Sequence, residues 1–341
     1  MTDEIGPDIE RLLSGLDMDQ WRDATFEYFA RTPQPNALFN VLAGPWMSDV
    51  VAQVRAPDLF RHTVGLVEEW DAANPAEEPR HKGTPYYWLG MAYTVLGDID
   101  LGFLYMHLAL AEDRRTSGER APRMPAFAFV SLDSQDPNQA FKQAIDAFAD
   151  FLEDRLQRYR QNTGGSLTLP VMRSKVIAVE DRWDAMFHLV YATARIRRLE
   201  LMGDIVTRTE FGRNLVGQAI GDLCIVADEW LQQGWPGPGE FYPHAVRFLR
   251  ARGIADAQVV MDAVASAAKQ DWGGTVVGLL DGTYGAPTRS LTPVELDVAT
   301  ARLMRNSASH KVTADALLGA RFADIEQRTY GAIFAIVEAL P

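Results

Sequence analysis

Apolar residues recur at spacings of three and four along most of the chain, and alternating runs are scarce. The pattern predicts helices and no strand. SGLDMDQWRDATFEYFARTP (14–33) carries a helix that Pro33 stops. APDLFRHTVGLVEEWDAAN (56–74) reads the same way, with Pro57 suited to a first helical turn. QDPNQAFKQAIDAFADFLEDRLQRYRQN (135–162) is the clearest helix. Asp136 caps it, Pro137 opens it, and Phe141, Ile145, Phe148, Phe151, Leu152 and Leu156 form one stripe. QNTGGSLTLP (161–170) holds two Gly and a Pro, which places a domain boundary there.

Beyond it the pattern predicts five helices: 174–202, 209–234 (ended by Gly234 and Pro236), 255–270, one opening at Pro293, and one over about 314–340. Thr292 and Glu295 form a capping box around Pro293. GGTVVGLLDGTYGAPTRS (273–290) reads as a Gly-rich connection. It has no Lys-Ser/Thr pair and no GxGxxG, so it is not a phosphate loop. The expectation is an all-α chain, with an N-terminal helical-hairpin domain over 1–165 and a C-terminal helical bundle over 166–341.

Composition narrows the class. The chain has 341 residues, 47% of them apolar, enough for two cores. Its start, MTDEIGPDIE, is acidic and unlike a signal or transit peptide, and no run approaches eighteen apolar residues, so no membrane span is expected. The single cysteine, Cys224, excludes intramolecular disulfides and CxxC metal sites and fits a cytoplasmic location. Net charge is −13, unevenly spread: residues 1–165 hold 15 Lys+Arg against 26 Asp+Glu, residues 166–341 hold 18 against 20. The acidity belongs to the N-terminal part, so nucleic acid remains an available partner for the C-terminal part.

YYWLGMAYTVLGDIDLGFLYMHLALAED (86–113) resembles a tetratricopeptide repeat through Leu89-Gly90, Tyr93, Leu96-Gly97-Asp98 and Ala109-Leu110. It departs from that pattern at Gly102, where a small Ala is usual, and lacks the closing Pro. The resemblance implies helical-hairpin packing and, beyond that, a protein partner at the N-terminal domain.

The candidate chemistry lies in LMRNSASHKV (303–312). Asn306 and His310 are four apart, on one helical face if the helix persists, and Arg305 can swing over the same patch. The small residues Ser307, Ala308 and Ser309 leave that patch open. A His titrating near neutrality can serve as general acid or base, an Arg fork can hold a phosphate, and an Asn can orient either. RNA supplies its own nucleophile, so no metal is required. The looser pattern Arg…His also occurs at Arg182…His188 and Arg55…His62, but only Arg305 is followed by Asn. RNSASH matches the R-N-x-x-x-H form of the motif of HEPN domains, and residues 170–341 resemble that family in length, helical content and motif position. The resemblance implies a metal-independent endoribonuclease that leaves 2′,3′-cyclic phosphate, with Arg305 and His310 catalytic and Asn306 assisting. It also implies a homodimer and a role in bacterial defence or toxin-type growth arrest. Arg302 and Lys311 are expected at the RNA; Arg321, Arg328 and the arginines of TARIRRLE (193–200) either form solvated faces or, some of them, line the same cleft. No cofactor and no metal are expected. His188 and His107 are expected to be packed core residues, and His62, His81 and His244 have no carboxylate or His at i±3 or i±4. The adjacent carboxylates of Glu68-Glu69 and Asp228-Glu229 should point different ways. A second reading is a non-catalytic adaptor that uses the bundle for dimerisation and the N-terminal half for a protein partner.

Overall fold

The computed structural model describes residues 18–31, 50–134, 139–285, 289–310 and 316–340. Among these the chain is helical and holds no strand; only an isolated bridge pairs Gly285 with Ser290. The all-α expectation therefore holds. The chain divides into two compact units, residues 1–128 with 135–141, and residues 129–134 with 142–341. The boundary expected at 161–170 lies inside the second unit. Glu338 anchors that stretch by accepting from the backbone N of Leu167 at 3.0 Å and from Ser166 Oγ at 3.0 Å.

The first unit contains α1 (Met18–Arg31), α2 (Val50–Ala73), α3 (Gly83–Val95) and α4 (Ile99–Ser117). α2 begins earlier than the sequence suggests, so Pro57 sits inside it rather than in its first turn. One proline removes a single N–H bond, and burial of Phe60, Val64 and Val67 further along outweighs that loss. α3 and α4 form an antiparallel hairpin. Gly97 turns it at φ 83°, and Asp98 caps α4 by accepting from Leu101 N at 3.1 Å. Gly90 and Gly102 are steric requirements of the crossing. A Cβ on Gly102 would lie 3.0 Å from the backbone N of Thr94, and one on Gly90 would lie 3.0 Å from Gly102 O. Buried Arg80 ties the unit together, donating to Phe29 O at 2.9 Å while its guanidinium lies 4.9 Å from the Trp70 ring.

The second unit takes in α5 (Ala128–Ser131) from residue 129 on and α6 (Gln139–Thr163) from residue 142 on. α7 (Leu169–Ile177), α8 (Trp183–Met202), α9 (Glu210–Gly234), α10 (Phe241–Ala251) and α11 (Ala257–Gln270) follow. Then come α12 (Trp272–Leu280), α13 (Pro293–His310), α14 (Ala316–Ala320) and α15 (Phe322–Ala339). The expected cap Asp136 and the opening Pro137 lie outside the described residues. The stripe of α6 is as expected, with Ile145, Leu152 and Leu156 fully buried.

Four expectations need correction, one being that the last helix over about 314–340 is two, α14 and α15, parted by a turn at Arg321. The single helix over 174–202 is two, α7 and α8, because Val179 is extended and Arg182 donates to Lys175 O at 2.8 Å, satisfying a carbonyl that the break frees. The Gly-rich connection holds α12. Asp271 caps it, accepting from Gly274 N at 2.9 Å, and burial of Val276, Leu279 and Leu280 outweighs the helix cost of its glycines. α10 was not expected at all; it buries Phe241, Ala245, Phe248 and Leu249 on one face.

α15 is the centre. It is buried from Thr329 to Val337 without interruption. α6 meets it through Phe151 against Tyr330 and Tyr159 against Phe334, and α9 and α13 pack along it. Glu326 enters this core from α15. Arg155 donates to it from Nε at 2.8 Å, to Asp154 at 2.7 Å, and also to Glu200. Three carboxylates share one cation, and burial pushes Glu326 up to about 7.

A carboxyl raised in this way binds its proton more tightly in the native state. It therefore removes stability as pH rises from its ordinary value of 4.5 to about 7. Glu326→Gln carries no such slope. Its stability relative to the native chain should climb between pH 4.5 and 7.5, read by urea unfolding at both pH values. A difference that does not change with pH would show that Glu326 does not titrate in this window.

Candidate functional site

The motif sits on α13, and the start of that helix is firmly held. The expected capping box is present: Glu295 N donates to Thr292 Oγ1 at 3.3 Å, and Thr292 N donates to Glu295 Oε2 at 2.8 Å. Arg289 forks onto both Glu295 oxygens, at 2.8 and 2.6 Å, and onto Asp256 at the head of α11. Despite its burial the Glu295 carboxyl stays below its usual range, because Arg289 and Thr292 donate to it. Two residues on, Asp297 accepts from Arg328 of α15 at 2.9 Å, and the missing side chain of Gly331 makes room for its carboxylate. Burial pushes Asp297 up to about 7. Val298, Ala299, Thr300, Ala301, Leu303 and Met304 are then all buried.

Polarity changes at Arg305. Its side chain is 28% exposed, and its Nη2 donates to Asp228 Oδ2 of α9 at 3.3 Å. Asp228 is buried. Its Oδ1 and the Arg305 Nε are both shielded from solvent without a hydrogen-bond partner. Buried Cys224 lies one turn before Asp228 on α9; burial pushes its thiol up, against the pull of Arg305. Asn306 is exposed. The helix continues through His310, so positions 306 and 310 stay one turn apart in register. The side chains of Ser307 to His310 lie outside the described residues, as does Lys311.

The other cations expected around the motif are mostly committed. Arg302 donates to Met261 O at 2.6 Å and stacks 4.1 Å from the Tyr242 ring. Arg321 pairs with Asp281 and Asp324, Arg328 with Asp297, and Arg195 with Asp222.

Two histidines differ from expectation. His188 is half-exposed rather than packed in the core. Its Nδ1 lies 3.0 Å from both Glu229 oxygens, which raises its pKa. Glu229 also lines an open depression of about 360 Å³ with Asp184, Ala185, Gln232 and Gln233. His107 is half-buried. Asp228 and Glu229 do point apart as expected, one to Arg305 and the other to His188. In the first unit His81 reaches Asp113 at 3.5 Å and Thr116 Oγ1 at 2.8 Å. Sequence spacing missed Asp228, Glu229 and Asp113 as partners because each lies at least 32 residues from the side chain it meets. No signal within one helix could have found them. No group of three or more metal-binding side chains occurs among the described residues.

Glu229→Gln should lower the His188 pKa, since the largest cause of its rise, the hydrogen bond to Glu229, is removed. An NMR titration of the imidazole reads this directly, and an unmoved midpoint would mean that the pair does not form. No protein-family model, curated protein or solved structure matches the chain.

Proposed function

We propose that the chain is a metal-independent endoribonuclease that cleaves RNA through attack of the 2′-OH and leaves a 2′,3′-cyclic phosphate. One observation carries the reading: a helix buried along most of its length turns polar at its last turns, at Arg305 and Asn306, and stays helical through His310. The Arg-Asn-x-x-x-His sequence there resembles the HEPN motif, and the helical bundle with one further long helix after the motif supports the same family. His310 takes the 2′-OH proton as general base, Arg305 holds the charge that develops on phosphorus oxygens, and Asn306 orients one or the other. Arg302, three residues before Arg305, and Lys311, next to His310, supply flanking cations.

One motif gives one titrating group, whereas the leaving 5′ oxygen also needs a proton. A homodimer that brings two motifs to one cleft supplies the second His without further sequence. The N-terminal part, strongly acidic, serves a protein partner or restrains the C-terminal part, and it is not the RNA-binding surface. The setting would be cytoplasmic, in defence or growth arrest.

A second reading is favoured by one observation: Arg305 is paired with Asp228 and most nearby arginines are paired as well. Under it the bundle is a non-catalytic dimerisation module.

Purified protein in EDTA should cleave single-stranded RNA to products ending in cyclic phosphate. His310→Ala and Arg305→Ala should each lower the rate by about 100-fold or more with thermal melts near the native value. Mixing the two variants should restore part of the activity if subunits share a site. Intact RNA at all protein concentrations would leave the adaptor reading in its place, and a fully active Arg305→Ala chain would remove Arg305 from the site.

A further inference from the structure

We propose that Asp228 is a positioning residue for Arg305, holding its guanidinium as a fixed receptor for a phosphate oxyanion. The inference rests on the proposed role of Arg305. Asp228 is on α9, far from the motif in sequence, and its side chain is only 7% exposed. A carboxylate so far from water is unfavourable unless it is paired, and an apolar side chain would fill a helix seam at lower cost. Its ion pair among the described residues is with Arg305.

The geometry is that of a hold rather than of a closed pair. A single bond joins Nη2 to Oδ2 at 3.3 Å, while Nε and Oδ1 stay shielded and unbonded. A side-on bidentate pair would satisfy both of those atoms and turn the guanidinium wholly inward. Instead the arginine keeps 28% of its side-chain surface in solvent. Its direction is fixed from below, and part of it remains open above. A donor already oriented before a phosphate arrives needs no rearrangement when charge develops on the phosphorus oxygens. Asp228 touches no substrate in this scheme; it acts through Arg305. The neighbouring internal pairs are unlike it. Arg328 joins α15 to α13, and Arg289, in the segment before α13, ties Glu295 to Asp256; no motif residue is involved.

The test uses the full chain and three variants: Asp228→Asn, which keeps an acceptor of the same shape, Asp228→Ala, and Arg305→Lys. Inorganic phosphate is the probe. The Arg305 Nε–H resonance, assigned by its loss in Arg305→Lys, should exchange slowly with water in the native chain and shift on adding phosphate. In Asp228→Asn it should exchange faster, with phosphate affinity lowered by about fivefold. RNA cleavage in EDTA should lose about tenfold or more in kcat, a larger change than that in KM, because the orientation of Arg305 matters most when charge develops in the transition state. Added formate should restore part of the activity of Asp228→Ala by refilling the carboxylate position. A folded Asp228→Asn chain with native phosphate affinity and native exchange at Arg305 would overturn the proposal. So would a native chain whose Arg305 resonance ignores phosphate. If phosphate binding depends on Asp228 but the native chain leaves RNA intact, the ribonuclease reading fails and the positioning role stands. Should Asp228→Ala fail to fold, the isosteric Asn variant decides the matter alone.

Discussion

A helix buried on all sides has no face to give to water, and α15 is such a helix from Thr329 to Val337. The helices packed on it answer to that constraint. α6, α9 and α13 must present apolar faces to it, and they do, through Phe151, Tyr159 and the buried runs of α9 and α13. The polar groups that α15 carries cannot escape to solvent, so each has a partner. Thr329 Oγ1 donates back to Ile325 O, the Tyr330 and Thr193 hydroxyls meet at 3.0 Å, and Glu326 receives Arg155. An unpaired group at any of these places would cost about 1–3 kcal/mol, more if charged. The same constraint explains why the Gly-Gly-Ser stretch at 164–166 is no hinge. Glu338, near the end of α15, takes the backbone donors of Ser166 and Leu167.

The position of the motif follows from this. α13 lies against α15 and is fixed at its first two turns by Glu295 with Arg289 and by Asp297 with Arg328. A rod fixed at one end and packed along its length delivers its other end to a definite place. That far end is where Arg305 and Asn306 emerge. Rigid elements place reacting groups better than loops do, because their rotamers and backbone are settled by packing rather than by the ligand. The break in burial at Arg305 is thus a consequence of helix length: the core ends and the helix continues.

Much of this was legible in the sequence. The stripe Phe141–Leu156, the capping box at Thr292–Glu295 and the turn at Gly97-Asp98 all follow local rules, in which one residue and a near neighbour decide the outcome. What failed to show was non-local. The Gly-rich run over 273–290 has the composition of a loop, yet Trp272–Leu280 is a helix because Val276, Leu279 and Leu280 find a core that no window of sequence reveals. His188 stands among apolar neighbours and reads as core, yet Glu229, 41 residues away, draws it to the surface. Arg305 could be picked out as a candidate from its neighbours Asn306 and His310, but Asp228, 77 residues away, could not.

Charge shows the same limit in a form that bears on function. Counting arginines near the motif suggests a positive surface able to draw in an anionic polymer. In the folded unit Arg195, Arg305, Arg321 and Arg328 each face a carboxylate, and Arg302 lies on Tyr242. Paired charges make dipoles, and the field of a dipole falls off faster than that of a lone charge, the more so through salt. Long-range attraction of RNA by this surface is therefore weak, and the N-terminal acidity of the chain opposes it. For the proposed ribonuclease, recognition has to come from contacts made within hydrogen-bond reach. The orientation of a few donors, rather than the number of cations, then decides whether a phosphate is held. A fixed Arg305 on a buried carboxylate meets that need better than a free arginine on an open surface would.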